Sequence, residues 1–234
     1  MRIEIWADVA CPFCYLGKRR FENALARFPH RDQVEVVYRS FELDPGSAKS
    51  VPYDVYDMLS RKYGMSREQA IANNANLARQ AAAEGIDFAF DDLKLTNTFD
   101  AHRLRHYAGE FGKSSELAEK LYRAYFTDGL NVSDHDTLAQ LAVEAGLDRE
   151  QTLQALAGDL YKDAVHQEEA DARSLGIRGV PYYAIDRKLS VSGAQSEETF
   201  LRALQQAWDE RPTHATAASD DAAGTCDDGS CAID

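Results

Sequence analysis

Two cysteines near the amino terminus have the spacing of a redox-active dithiol. The stretch Cys11-Pro12-Phe13-Cys14 directly follows the residue pattern of a strand and opens the pattern of a helix. A Cys-x-x-Cys pair in this setting is typical of thiol–disulfide exchange. Cysteines three residues apart in the first turn of a helix lie on one face, within reach of a disulfide bond. The spacing therefore predicts a pair that alternates between a dithiol and a disulfide.

The predicted helix gives the two cysteines different roles. Cys11 is expected at the N-cap, with Pro12 at the first helical position, where the missing N–H of proline costs nothing. Free N–H groups and a partial positive charge at that end favour a thiolate, so Cys11 is the predicted nucleophile. Cys14, one turn deeper, is the predicted resolving thiol. Phe13 adds bulk without charge, so we expect a reduction potential between roughly −270 and −120 mV, which leaves the direction of electron flow open.

Cys11 and Cys14 have two alternative interpretations. They could be half of a zinc site, or they could be two buried thiols without a redox role. Structural zinc takes four ligands, commonly from two close pairs. The chain has four cysteines, but it has no second pair with two-residue spacing. We therefore predict no metal and no cofactor at this pair.

A second candidate element, Val180-Pro181, lies far along the chain. It follows Gly179 and leads into a predicted strand. X-Pro bonds are the only ones that are cis at appreciable frequency, and a cis proline usually marks a tight functional turn. The alternative is an ordinary trans proline at the start of a strand.

The remaining cysteines, Cys226 and Cys231, form a Cys-x4-Cys pair near the carboxyl terminus. The preceding segment has the composition of a flexible linker with a reach of about 20 Å, enough to bring this pair to the first one. One hypothesis is a second redox pair that exchanges with Cys11 and Cys14. The neighbouring aspartates disfavour thiolates here, which makes the pair a slower attacker but an acceptable target. The alternatives are a soft-metal site with His214, or a dispensable appendage.

The elements around the dithiol form three blocks. A strand over Ile3–Ala7, a helix over about 12–28 and a strand over Val34–Phe41 give a βαβ start. From roughly residue 48 to 167 the pattern is almost wholly helical. A β-hairpin near 182–192 and an amphipathic helix near 197–210 follow.

This order predicts an α/β protein with a thioredoxin fold interrupted by a large all-helical insertion, plus a flexible C-terminal tail. The predicted thioredoxin-like domain is discontinuous and comprises residues 1–47 and 168–211. Residues 48–167 form the predicted insertion. Residues 212–234 are the predicted acidic tail, which is too poor in apolar residues to fold alone.

Inside the helical block, local signals predict individual helices. Ser66 and Gln69 form a capping box at the start of one helix. Leu153, Leu156 and Leu160 are expected on one face of another helix. Tyr53, Tyr56, Leu59 and Tyr63 form a further apolar stripe, interpreted as the packing face of the insertion, with a cleft opposite Cys11 as the alternative.

The sequence contains three further polar candidates for a functional site, but their spacing does not define one. Asp8 lies three residues before Cys11 and is expected near it. His102 and His106 are four apart on a predicted helix, which is metal-ligand spacing, but no third ligand is close in sequence. A pair on a helix surface is the favoured interpretation, with a structural or pocket-lining role for His102 as the alternative.

Four sequence motifs together resemble the DsbA-family oxidoreductases of the FrnE type, in the family's order and over about residues 1–210. They are Cys11–Cys14, Asn97-Thr98-Phe99-Asp100-Ala101-His102-Arg103-Leu104, Gly179-Val180-Pro181-Tyr182-Tyr183 and Ser192-Gly193-Ala194-Gln195. The resemblance implies a cis Pro181 beside the active-site cysteines, with the Val180 backbone able to pair with a substrate strand. It also implies oxidoreductase or isomerase activity on protein disulfides, in the cytoplasm and linked to oxidative stress. Some members have a second pair like Cys226 and Cys231.

Families related to these oxidoreductases have other activities, which are the main alternatives for this chain. Kappa-class glutathione transferases and 2-hydroxychromene-2-carboxylate isomerases share the architecture implied by the resemblance. They carry a serine where this chain has Cys11, and they lack the second cysteine. The alternatives to an oxidoreductase are therefore a glutathione-dependent transferase or isomerase, and a non-enzymatic metal-binding or redox-sensing protein.

The composition of the chain disfavours some classes of binding partner. The formal net charge of −13 disfavours nucleic acids and anionic membranes. No run of 18 apolar residues predicts a membrane span, and the N-terminus lacks the pattern of a signal peptide, so we expect a cytoplasmic protein. The expected partners are proteins with thiols or disulfides, and glutathione or another thiol donor.

Overall fold

The computed structural model describes residues 1–211, so the predicted tail with Cys226 and Cys231 lies outside the described residues. In the described part, four strands and nine α-helices form an α/β fold. The strands are β1 (Arg2–Ala7), β2 (Glu35–Ser40), β3 (Tyr182–Ile185) and β4 (Leu189–Ser192). The helices are α1 (Pro12–Arg27), α2 (Val55–Tyr63), α3 (Arg67–Ala83), α4 (Phe99–Gly109), α5 (Ser114–Phe126), α6 (His135–Glu144), α7 (Arg149–Ala157), α8 (Lys162–Ser174) and α9 (Glu197–Asp209).

The four strands form one mixed sheet in the order β2-β1-β3-β4. β1 and β2 are parallel and are joined through α1, because parallel neighbours need a crossover connection. β3 pairs antiparallel with β1 and with β4. A βαβ unit followed by a ββα unit is the thioredoxin fold, and helices α2–α8 lie between the two units. The predicted fold class and the helical insertion are confirmed.

Both faces of the sheet are covered by apolar side chains. On one face Phe21 of α1 and Phe200 of α9 pack on Tyr183, with the Tyr183 and Phe200 ring centroids 4.7 Å apart. On the other face Trp6 packs with Ile177 in a cluster that includes the end of α8. The dithiol helix α1 therefore rests on a rigid, doubly covered sheet.

Helix α8 connects the insertion to the sheet. The Trp6 indole N–H donates to the carbonyl of Glu168 at 3.2 Å, and the Glu168 carboxylate accepts the Ser40 N–H at 2.7 Å. Because residues 167 and 168 both lie within α8, the predicted domain boundary between them falls inside a continuous helix.

The predicted helix starts are well placed, but one predicted face is wrong. The capping box of Ser66 and Gln69 is present at the start of α3. Leu160, expected on the apolar face of α7, lies beyond the helix end at Ala157 and is 47% exposed. The reason is Arg103, whose buried guanidinium binds four carbonyls where the chain leaves α7, those of Ala155, Leu156, Gly158 and Leu160.

Within residues 1–211, none of the helices is long and apolar enough to cross a bilayer.

Candidate active site

The first turn of α1 presents both cysteines at the end of β1. Cys11 is the N-cap residue, with extended backbone angles, and Pro12 begins the helix, as the sequence predicts. The Cys11 N–H donates to the Asp8 carbonyl at 3.1 Å, and the Cys14 N–H donates to the Cys11 carbonyl at 3.0 Å. Both cysteines are free thiols and almost fully buried. Backbone hydrogen bonds thus determine where the two sulfurs lie.

Val180 and Pro181 lie against this turn although they are far away in sequence. The Cys11 thiol donates to the Val180 carbonyl, with 3.5 Å between sulfur and oxygen, and the Val180–Pro181 peptide bond is cis. Gly17 allows the close approach. A Cβ at Gly17 would lie 3.1 Å from Cγ of Pro181 and 2.7 Å from the hydroxyl of Tyr183. A side chain at position 17 would therefore push α1 away from the proline loop.

The surroundings of Cys14 differ from those of Cys11. Burial raises the pKa of the Cys14 thiol well above its ordinary value, and the hydrogen bond between the two sulfurs raises it further. The Cys14 thiol therefore keeps its proton at neutral pH. Cys11 instead occupies the N-terminus of α1, where the helix dipole favours negative charge. This asymmetry is the one expected for a nucleophile and a resolving thiol.

Asp8 supports the dithiol turn from below. Its side chain is 1% exposed, and its carboxylate accepts the Leu43 N–H at 2.7 Å, the Ala10 N–H at 3.2 Å and Nε2 of His102 at 3.3 Å. Burial acts to raise the pKa of Asp8, but the hydrogen bonds from His102 and Leu43 outweigh it and lower the pKa below its ordinary value. Asp8 is thus an ionised carboxylate beneath the reactive turn.

A cavity of about 710 Å³ opens beside Cys11. One side, here called the dithiol wall, comprises Cys11, Pro12, Phe13, Gly179 and Val180. The opposite side, here called the helical wall, is contributed by the α2–α3 region and comprises Tyr53, Leu59, Tyr63, Asn74, Leu77 and Gln80. The cavity is large enough to hold a small thiol or a segment of an extended chain.

The lining of the helical wall bears on the two interpretations of the predicted apolar stripe, a packing face or a cleft. Tyr53, Leu59 and Tyr63 of the predicted apolar stripe line the cavity opposite Cys11. Asn74, which has no distinctive sequence signal, is 7% exposed, and its Nδ2 has no hydrogen-bond partner within residues 1–211. The stripe is therefore a cavity wall as well as a packing face.

Two buried carboxyl groups lie close to the loop after β2. The Glu42 N–H donates to the Glu169 carboxylate at 3.1 Å, and both side chains are 8% exposed. Burial raises the pKa of Glu42 to about 8, and the negative charges of Glu169 and Asp8 contribute to the same shift. The Glu42 side chain is thus largely protonated at neutral pH.

The two histidines of the 102–106 pair bind different partners. His102 is 2% exposed and contacts Asp8, so the favoured surface interpretation is wrong for it. His106 bonds through Nε2 to the Glu168 carboxylate at 3.0 Å. In the described part of the chain, no three His, Cys, Asp or Glu side chains are grouped closely enough to hold a metal ion.

A dithiol at the start of a helix, beside a cis proline and on a thioredoxin-fold sheet, is the arrangement of a thiol–disulfide oxidoreductase. Family comparison agrees with this class. Residues 2–205 match the DSBA-like thioredoxin domain, and the chain belongs to that family.

Three relatives show the range of similarity. A probable DsbA oxidoreductase from Streptomyces coelicolor is 53% identical, with a TM-score of 0.87 over 91% of this chain and 92% of that one. The uncharacterized protein YwbO from Bacillus subtilis is 28% identical over 87% of this chain and 96% of its own. The cytosolic disulfide reductase DsbM from Pseudomonas aeruginosa, solved with GSH, is 14% identical, with a TM-score of 0.62 over 89% of this chain and 100% of that one. That last likeness concerns the fold alone.

Proposed function

We propose that this protein is a cytoplasmic oxidoreductase, and a candidate disulfide isomerase, that acts on protein disulfides through Cys11 and Cys14. The observation that carries the proposal is the asymmetry of the pair. The Cys14 thiol is buried and has a raised pKa. Cys11 faces the cavity at the N-terminus of α1. Only Cys11 is therefore placed to meet a substrate.

In the reducing direction, the Cys11 thiolate attacks one sulfur of a substrate disulfide. A Cys11–substrate disulfide forms, and the second substrate sulfur leaves as a thiolate that takes up a proton. Cys14 then loses its proton and attacks the Cys11 sulfur. The Cys11–Cys14 disulfide forms and the substrate sulfur that was bonded to Cys11 leaves as a thiolate, so two electrons have passed to the substrate. Substrate oxidation is the reverse sequence.

The cavity walls support an extended polypeptide substrate. Phe13 and Tyr63 are 50% and 60% exposed at the cavity, where they offer apolar surface to an incoming chain. We expect Pro12 and Phe13 to determine the shape of the dithiol turn. We expect a substrate strand to bind alongside the backbone of Val180 and Pro181.

Glutathione, or another thiol of similar chemistry, is the proposed source of electrons. Lys62 and Arg178 line the cavity together with Asp8 and Asp44, in a chain whose formal net charge is −13. The two cations would attract the carboxylates of an anionic thiol. The presence of GSH with DsbM, a protein of the same fold, agrees with this proposal.

Insulin reduction with single cysteine variants tests the proposal. We expect Cys11→Ser to reduce insulin no faster than buffer, because the nucleophile is gone. Glutathione conjugation that persists in Cys11→Ser, without insulin reduction by the wild type, would favour the transferase alternative. Tight zinc uptake by a wild type that lacks reductase activity would favour the metal-binding alternative.

For the tail we propose a shuttle, in which Cys226 and Cys231 exchange disulfides with Cys11 and Cys14 and support tolerance to oxidative stress. The variant with both tail cysteines changed to serine tests this role. We expect slower refolding of a scrambled substrate and slower turnover, while the single-turnover reaction of Cys11 stays unchanged. Unchanged refolding and turnover in this variant would reject the shuttle.

A further inference from the structure

We propose that helix α3 binds the main chain of an extended polypeptide substrate through a row of side-chain amides in the cavity opposite Cys11. Three exposed residues, Asn73, Asn76 and Gln80, form this row and are here called the amide face. The inference rests on the proposed function and adds to it how the substrate is held. Its ligand is the polypeptide main chain itself, whatever side chains the substrate carries.

The first argument is the composition of α3 where it lines the cavity. Five of its residues do so, and four of them are amides: Asn73, Asn74, Asn76 and Gln80, with Leu77 as the fifth. Asparagine is a poor helix former, because its side chain competes for backbone hydrogen bonds. Three asparagines within four residues therefore weaken the helix, and helix stability does not explain their presence. Their place on the cavity favours a binding role.

The second argument is the spacing of the amide face. Asn73, Asn76 and Gln80 occupy positions i, i+3 and i+7, which share one side of a helix. Asn76 and Gln80 are about 6 Å apart along the axis, because each helical residue adds about 1.5 Å. In an extended chain, alternate residues direct their main-chain groups to the same edge at intervals of about 6.8 Å. A chain that runs along α3 therefore presents main-chain groups at nearly the interval of the two amides.

The third argument is the chemistry of an amide side chain. Like the peptide group, it carries both a hydrogen-bond donor and an acceptor. A substrate strand that pairs with Val180 along one edge turns its other edge toward α3. The main-chain groups of that edge need partners when they leave water. The amide face supplies such partners without a charge, which would be costly to remove from water.

Asn74 adds a buried donor beside the amide face. Its side chain lines the cavity and is 7% exposed, and its Nδ2 has no hydrogen-bond partner within residues 1–211. A buried donor without an acceptor destabilises a fold. A main-chain carbonyl bound in the cavity is an acceptor of the kind that Asn74 lacks. This group therefore favours a polar ligand over a purely apolar one.

Binding through the main chain has a consequence for substrate range. Every residue except proline carries the same main-chain donor and acceptor. The amide face therefore does not distinguish one polypeptide sequence from another. It distinguishes a polypeptide disulfide from a small disulfide that has no peptide bond.

The double variant Asn76→Leu with Gln80→Met removes two amides, keeps the size of both side chains and introduces better helix formers. With dithiothreitol as the final reductant, we expect KM for insulin reduction to rise about tenfold, from the loss of neutral hydrogen bonds, with kcat unchanged. Reduction of hydroxyethyl disulfide, which has no peptide bond, should stay within about twofold of the wild-type rate. Disulfide peptides with scrambled flanking residues should all be affected by about the same factor.

Gln140→Met with Gln154→Met is the matched control, because it removes two exposed amides of α6 and α7 that lie outside the cavity lining found in residues 1–211. Its KM for insulin should equal that of the wild type. A wild-type KM in the Asn76→Leu, Gln80→Met variant would overturn the proposal, and so would an equal loss of activity toward insulin and hydroxyethyl disulfide. A loss confined to particular peptide sequences would also overturn it. A wild type that does not reduce insulin would reject the proposed function instead.

Asn74→Leu tests the buried donor separately from the exposed row. Removing a donor that has no partner should leave the urea midpoint of unfolding unchanged or higher, whereas KM for insulin should rise severalfold. A purely structural role would do the opposite. A lower midpoint with an unchanged KM would therefore contradict the part assigned to Asn74.

Discussion

The two walls of the cavity are built in different ways. The dithiol wall is held by backbone hydrogen bonds at Cys11 and by the close approach of Gly17 to Pro181. The helical wall is formed by side chains, and it includes the exposed Tyr63 and Asn74, whose Nδ2 has no hydrogen-bond partner in the described part of the chain. A backbone-built wall fixes the reacting sulfurs, whereas a side-chain wall can change without moving them. In the proposed function, the dithiol wall carries the chemistry and the helical wall contacts the substrate.

The largest expected effect comes from the buried network that holds helices α4 and α7 of the helical insertion together. Arg103 is 3% exposed, donates to four carbonyls around the end of α7 and pairs with Asp100 at 2.7 Å. We expect Arg103→Met to lower the free energy of unfolding by about 3–5 kcal/mol, because the four buried carbonyls lose their donor and the Asp100 carboxylate loses one of its partners. Urea unfolding followed by circular dichroism measures this loss.

Arg149→Met is the control for that prediction. Arg149 forms a surface ion pair with Asp136, and such pairs contribute about 0–1 kcal/mol. Equal losses in the two variants would mean that the buried network around Arg103 does not stabilise the helical insertion.

A sequence predicts local features of this fold better than contacts between distant residues, for physical reasons. The turn at Cys11 and Pro12 and the β3–β4 hairpin depend on neighbouring residues, so local patterns were sufficient to place them. The contact between Asp8 and His102 joins residues 94 apart in sequence, and only the folded chain shows it. The end of α7 also escaped prediction, because Arg103 binds its carbonyls from another helix.

A smaller effect is expected where the helical wall meets the substrate. Leu59 lines the cavity, so Leu59→Glu should replace apolar contact by a charge. We expect KM for insulin reduction to rise about tenfold, equal to about 1.4 kcal/mol of lost apolar burial, with little change in kcat. Steady-state kinetics at several insulin concentrations separate the two constants.

Ile71→Glu is the matched control for Leu59→Glu. Ile71 is 43% exposed on α3 and does not line the cavity. A rise in KM of similar size in this control, or a fall in kcat alone for Leu59→Glu, would remove the helical wall from substrate binding.

The smallest effect concerns pH and the loop that leads from β2 to the cavity. Glu42 has a pKa of about 8 in the folded protein and an ordinary value of 4.5. Between these values the folded protein holds a proton that the unfolded chain releases, so this group makes stability fall as the pH rises. We expect Glu42→Gln to show a smaller fall between pH 5 and 8 than the wild type. Denaturant unfolding at each pH measures the difference, and identical slopes would show that Glu42 stays ionised.

The central claim is that Cys11 attacks the substrate and Cys14 resolves the intermediate. Mass spectrometry of Cys14→Ser mixed with a disulfide-containing protein tests it most directly. We predict a stable mixed disulfide on Cys11 that thiols release, and no such adduct on Cys14 in Cys11→Ser. An adduct on Cys14 in Cys11→Ser, or none on Cys11 in Cys14→Ser, would contradict the assignment.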